Sequence, residues 1–147
     1  MTSRTILILE DNRDYQELIE LAFEQCEIEH DLIIVSDGVE LLDYLFGRSR
    51  FSDRDLTRMP KLILLDLEVP RISGLEVLQQ IRAAQNTRFI PVAIVSTSIE
   101  PEDLINSYRY GCNSYIRKPI DFTQLQNIVR ELTLYWLTIN HVPPVSG

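Results

Sequence analysis

The sequence predicts an α/β fold in which five parallel strands form a doubly wound sheet with helices on both faces. Three observations carry this. Short, nearly continuous apolar runs recur along the chain, as strands buried on both faces require. They alternate with segments whose apolar residues repeat at helical spacing. The 147 residues suffice for one domain with a substantial core and are too few for two ordinary ones.

The expected strands are Thr5–Leu9, Asp31–Val35, Lys61–Leu65, Pro91–Val95 and Ser114–Arg117. Between the first two, Tyr15, Leu18, Ile19, Ala22 and Phe23 form one apolar stripe, and Leu75, Leu78 and Ile81 begin another after the third. Helix starts are signalled by Asp37-Gly-Val-Glu40, Ser73-Gly-Leu-Glu76 and Asp121-Phe-Thr-Gln124, where a short polar side chain can accept from a backbone N–H three residues on. Pro101 suits a first helical turn. The chain reads as a single domain, 1–147, with a core over 5–133 and an extended last helix and tail over 134–147. The segment from Gly47 to Met59, with Arg48, Arg50, Arg54 and Arg58 around Phe51, reads as a solvated loop or a partner-docking insertion.

Composition excludes several classes. A net charge of −8 argues against nucleic acid or an anionic membrane as direct partner. No apolar run reaches the roughly 18 residues of a membrane span. Cys26 and Cys112 lack CxxC spacing and read as reduced packing residues, in keeping with a cytoplasmic setting. His30 and His141 suggest no metal site.

In a doubly wound sheet the loops after the strands' carboxyl ends meet in one crevice. This chain sends Glu10-Asp11, Asp66, Ser96-Thr97 and Lys118-Pro119 there. Each alone is weak evidence, since an acid after a strand is ordinarily a cap or turn residue. Together they are specific. Three clustered carboxylates repel unless a cation sits among them, and an all-oxygen donor set favours Mg²⁺ over zinc. A carboxylate can act as nucleophile and form an aspartyl phosphate. Lys118 would then pair with one phosphoryl oxygen, while the Ser96 hydroxyl and nearby backbone N–H groups hold another.

These residues, with Asp66-Leu-Glu-Val-Pro70 and Gly74, resemble the receiver domain of two-component response regulators over nearly the whole chain. The resemblance implies a flavodoxin-like strand order of 2-1-3-4-5 and a single phosphoacceptor, Asp66. It implies Mg²⁺ held by Asp11 and Asp66, by Glu10 mainly through water, and by the backbone carbonyl of Glu68. Ser96 and Tyr115 would be the switch pair, and the Lys118–Pro119 bond would be cis. Glu10, Val69 and Thr97 stand where aspartate, methionine and a small residue are commoner; Thr97 is expected to crowd the path to Asp66. The long loop and the tail Leu134-Tyr-Trp-Leu137 resemble small stand-alone regulators paired with phytochrome-type histidine kinases. The implied partners are such a kinase, an unknown downstream protein and a second copy of the chain, with signalling by protein contact or onward phosphotransfer. For the homodimer, Tyr110, Leu134 and Leu137 are expected to be exposed, and Leu125, Ile128, Val129, Leu132, Trp136 and Ile139 to face the sheet. An enzyme of the haloacid dehalogenase type would need DxDxT, which Asp66-Leu-Glu-Val-Pro70 does not supply. A flavin module would need a phosphate loop where Glu10-Asp11 stands. The complete acid, hydroxyl and lysine set argues against a binding-only pseudo-receiver.

Overall fold

The computed structural model describes residues 3–119 and 121–144. Five strands, β1 Thr5–Leu9, β2 Asp31–Val35, β3 Leu62–Leu65, β4 Val92–Ser96 and β5 Ser114–Arg117, pair in the order 2-1-3-4-5. Every pairing is parallel. The helices are α1 Arg13–Glu24, α2 Gly38–Phe46, α3 Gly74–Ala83, α4 Pro101–Arg109 and α5 Phe122–Leu134. Strand alternation splits the core in two. Leu7, Leu9, Ile63, Leu65, Val92 and Ile94 pack with α2 and α3, while Ile6, Ile8, Leu62, Leu64 and Ala93 pack with α1 and α5.

The three helix starts read from the sequence are all formed. Asp37 accepts from the Glu40 N–H, Ser73 from Glu76 and Asp121 from Gln124. Asn12 caps α1 in the same way, accepting from the Tyr15 N–H at 2.9 Å. These caps fix where each helix begins, and so how each strand-end loop is shaped.

Helix faces depart from expectation in three places. On α1, Leu18 is exposed while Ile19, Ala22 and Phe23 are buried. On α4, Leu104 and Tyr108 are exposed and Ser107 is buried, and Tyr110 just beyond it, expected to be exposed, is half-buried against the α2–α3 core. On the last helix Leu137 is buried at 4% exposure, and Ile139, expected to be buried, is 54% exposed. A π turn over Tyr135–Ile139 explains the last case. The buried positions Leu125, Val129, Thr133 and Leu137 are four apart. In an unbroken α-helix each such step drifts by about 40°, so Leu137 would rotate away from the sheet. The wider turn, closed by the Asn140 N–H on the Tyr135 carbonyl at 2.7 Å, takes back part of the last step's drift and so favours the inward placement of Leu137. Leu134 is exposed as expected.

The long loop folds around one of its arginines. A 3₁₀ turn spans Ser49–Phe51, and Arg54 stacks on the Tyr44 ring at 4.2 Å while donating to the carbonyls of Tyr44 and Arg58. Arg48 and Arg50 stack on Phe46 and Phe51. The loop is therefore held against α2 through Arg54, while Arg48, Arg50 and Arg58 stay exposed, as a solvated surface loop requires.

Candidate functional site

Strand register gathers the candidate residues at the carboxyl edge. The Asp66 N–H donates to the Leu9 carbonyl at 3.2 Å, and the Lys118 N–H donates to the Ser96 carbonyl at 2.8 Å, so adjacent strand ends are stitched directly. Gly74 completes the floor. A Cβ there would lie 2.2 Å from the Asp66 carbonyl oxygen, so only glycine lets α3 approach the acceptor loop this closely.

Glu10 and Asp66 are buried, at 2% and 8% exposure, and Asp11 is exposed. One carboxylate oxygen from each of the three lies within 4.8 Å of the others, a spacing that suits a hard divalent cation with oxygen donors. Lys118 reaches into the same cluster. Its ammonium lies 2.6 Å from Glu10 Oε1 and 2.8 Å from Asp66 Oδ2. The other oxygen of each acid is also engaged: the Asn12 N–H donates to Glu10 Oε2 at 2.9 Å and the Glu68 N–H to Asp66 Oδ1 at 3.3 Å.

The electrostatics follow from burial and from this pairing. Desolvation pushes the Glu10 carboxyl above its ordinary value, and the hydrogen bond from Lys118 only partly offsets it. For Lys118 burial acts downward, but the hydrogen bonds to Asp66 and Glu10 outweigh it and hold the ammonium above its ordinary value. One cation thus stands against three acids, and the pocket retains an unbalanced negative charge that favours a second cation.

Ser96 is buried, but its hydroxyl oxygen accepts from the Ser98 N–H at 3.1 Å. Tyr115 donates its hydroxyl to the Ser98 carbonyl at 3.0 Å. The two expected switch residues therefore meet through Ser98, whose own hydroxyl bonds Asp103 at the start of α4 at 2.5 Å. Thr97 is exposed and lines an open cavity with Arg117, Lys118 and Pro119 at the rim. No cis peptide bond is present among the described residues, so Lys118–Pro119 is trans, against expectation. Trans is the lower-energy isomer for X–Pro by about 0.5–1 kcal/mol, and Lys118 reaches both carboxylates in it. Two residues of the site escaped the sequence reading. Ser98 was signalled only by the Ser-Thr-Ser run after β4, and Tyr15, whose ring lies beside Lys118, was absorbed into the α1 core stripe.

A 2-1-3-4-5 sheet carrying an acidic trio, a lysine and a hydroxyl at its carboxyl edge defines a phosphoacceptor module of the kind used in two-component signalling. The chain belongs to the response regulator receiver domain family, whose match spans residues 6–130. It is 38% identical over 138 residues to the probable methanogenesis regulatory protein FilR2 of Methanothrix harundinacea, covering 94% of this chain and 86% of that protein. The phosphorylated cyanobacterial phytochrome response regulator RcpA superposes with a TM-score of 0.87 at 34% identity, covering 97% of this chain and all of that one. The response regulator Rcp1 of Synechocystis sp., solved in its Mn²⁺-bound form, superposes with a TM-score of 0.85 at 31% identity, covering 96% and 99%. The likeness thus runs the full length of the phytochrome response regulator RcpA.

Proposed function

We propose that Asp66 is the phosphoacceptor, charged by a histidine kinase of the phytochrome type, and that the chain signals by protein contact or onward phosphotransfer. The observation that carries this is the placement of the Asp66 carboxylate. It is buried, held by Lys118 on one oxygen and by the Glu68 N–H on the other, and set in an acidic trio with Glu10 and Asp11. An Asp66 oxygen attacks the phosphorus of a phosphohistidine, the new O–P bond forms as the N–P bond breaks, and the imidazole leaves with the electron pair.

Mg²⁺ is the proposed metal, held by Asp11, Asp66 and the Glu68 carbonyl, with Glu10 acting mainly through water. When bound it would neutralise charge that develops on the phosphoryl oxygens. Lys118 keeps a positive charge at the acceptor, and its elevated proton affinity ensures that it stays an ammonium at neutral pH. Ser96 is positioned by Ser98 and is free to exchange that bond for a phosphoryl oxygen. Because Ser98 also ties Tyr115 and Asp103, the exchange would be felt at the start of α4. Ile99, Leu104, Ile105 and Tyr108 are exposed on and just before that helix, a surface suited to a downstream protein. Release of the phosphoryl group to water is assigned to the same residues. The two free cysteines support a cytoplasmic setting, and among the described residues no helix is long and apolar enough to cross a membrane. A homodimer belongs to the proposal, with its patch redrawn around Leu134, Tyr135 and Ile139, all exposed, in place of the buried Leu137.

The test is intact mass after treatment with acetyl phosphate and Mg²⁺. Wild type should gain one phosphoryl group that alkali and hydroxylamine remove and Asp66→Asn none, with the fold retained. Undiminished phosphorylation of the variant would move the acceptor elsewhere.

A further inference from the structure

The Lys118 ammonium has a third neighbour that is not an anion. It lies 4.6 Å from the centroid of the Tyr15 ring. Tyr15 sits in the first turn of α1, where its backbone N–H is fixed on the Asn12 side chain, and its ring packs against the α1–α5 core. The hydroxyl is buried and has no hydrogen-bond partner. Burial above all pushes the phenol up to about 12; the Lys118 charge acts against this, while Glu10 and Asp66 add to it. An unpartnered hydroxyl does not anchor the ring, so what Tyr15 presents to the site is its aromatic face.

We propose that Tyr15 is a positioning residue for phosphoryl transfer, its ring holding the Lys118 ammonium beside the acceptor when both carboxylates are claimed by other partners. The inference rests on Asp66 being the phosphoacceptor. The oxygens that now hold Lys118 are Glu10 Oε1 and Asp66 Oδ2. Both acids belong to the trio suited to a divalent cation, and an oxygen of Asp66 is consumed by the new O–P bond. Lys118 therefore loses ionic partners as it becomes needed on a phosphoryl oxygen. A lysine is a point charge on a flexible stem and would swing toward water. The ring competes for neither metal nor phosphoryl group, yet its quadrupole still attracts the ammonium.

The chain has only two lysines, Lys61 and Lys118, which makes the test direct. The first measurement is the initial rate of acyl phosphate formation with acetyl phosphate and Mg²⁺, where the O–P bond to Asp66 forms and acetate leaves. Tyr15→Leu should slow it about ten-fold, the scale of a desolvated cation–π contact, and Tyr15→Phe should stay near wild type. In a Lys118→Ala background Tyr15→Leu should change nothing more. The second measurement is reductive methylation with Mg²⁺ present, read peptide by peptide with Lys61 as internal reference. Tyr15→Leu should raise the Lys118 to Lys61 ratio severalfold and Tyr15→Phe should not. Should the leucine variant melt below the assay temperature, Tyr15→Met takes its place. A wild-type rate and ratio in the leucine or methionine variant would overturn the inference, as would a phenylalanine variant equally impaired, or an undiminished effect without Lys118. Failure of wild type to gain a phosphoryl group would instead overturn the assignment of Asp66.

Discussion

The carboxyl edge of the sheet and the last helix are positioned by different physics. At the edge, Glu10, Asp66 and Lys118 follow strands whose ends are tied to one another by backbone hydrogen bonds. Ladder geometry fixes each of these side chains to within a residue, whatever surrounds it. Along α5 nothing pins one residue independently of the next. The face each side chain presents depends on twist summed over the preceding turns, and a single π turn moves Leu137 under the sheet and leaves Ile139 outside. The side chains proposed for chemistry stand where location is set locally, whereas the proposed contact surface stands where location is accumulated.

The largest effect expected from breaking that contrast is at Leu137. Truncation to alanine removes a side chain buried against the α1–α5 core and should cost about 2–5 kcal/mol, measured by urea unfolding. A cost near zero would mean that the π turn does not hold Leu137 inward in solution. At the edge, Gly74→Ala places a methyl group against the Asp66 carbonyl and should cost about 1–3 kcal/mol by overpacking. Its signature is a loss of phosphorylation rate larger than the stability loss explains, since the acceptor loop itself must shift. Unchanged phosphorylation would show that the loop accommodates the methyl group without moving Asp66.

Asp11 gives a smaller effect. It is exposed, so Asp11→Ala should leave the metal-free melting temperature nearly unchanged. In wild type, Mg²⁺ at ten times its Kd should add about 1.4 kcal/mol of stability by mass action, and the variant should lose most of that gain. An equal Mg²⁺ response in both would remove Asp11 from the ligand set.

What was legible in the sequence divides along the same line. The five strands and the acidic trio could be read because apolar runs and the acids at their ends carry them, the order of the strands came with the resemblance to receiver domains, and the caps at Asp37, Ser73 and Asp121 involve only four consecutive residues each. The faces of α4 could not. Leu104, Ile105 and Tyr108 form an apolar pattern, but periodicity reports that a face is apolar and not which neighbour covers it. Here the helix docks through Ser107, whose hydroxyl is satisfied within its own helix by the Asp103 carbonyl at 2.7 Å. Tyr110, one residue past the helix, turns back toward the α2–α3 core. The trans bond before Pro119 was likewise hidden, because the two isomers of an X–Pro bond differ by so little that sequence does not choose between them. Ser98 was hidden for another reason: its role lies in backbone groups that any residue has, and only its hydroxyl to Asp103 is particular to serine.

The smallest effect on the fold, and the sharpest test of the contact surface, is expected at Leu134. Its side chain is 45% exposed on the turn before Leu137. A charge there meets water in the monomer, so Leu134→Glu should change unfolding stability by no more than about 0.5 kcal/mol. In the proposed dimer the same charge, repeated by two-fold symmetry, would be buried beside Tyr135 and Ile139 without a partner. Sedimentation at micromolar concentration should therefore give a dimer for wild type and a monomer for the variant, while both melt alike. Leu137→Ala makes the complementary control, since it should weaken the fold without adding a charge to the patch. A wild type that sediments as a monomer, with or without a phosphoryl group, would leave Leu134 an isolated exposed leucine. A variant that stays dimeric would shift the contact to the exposed face of α4.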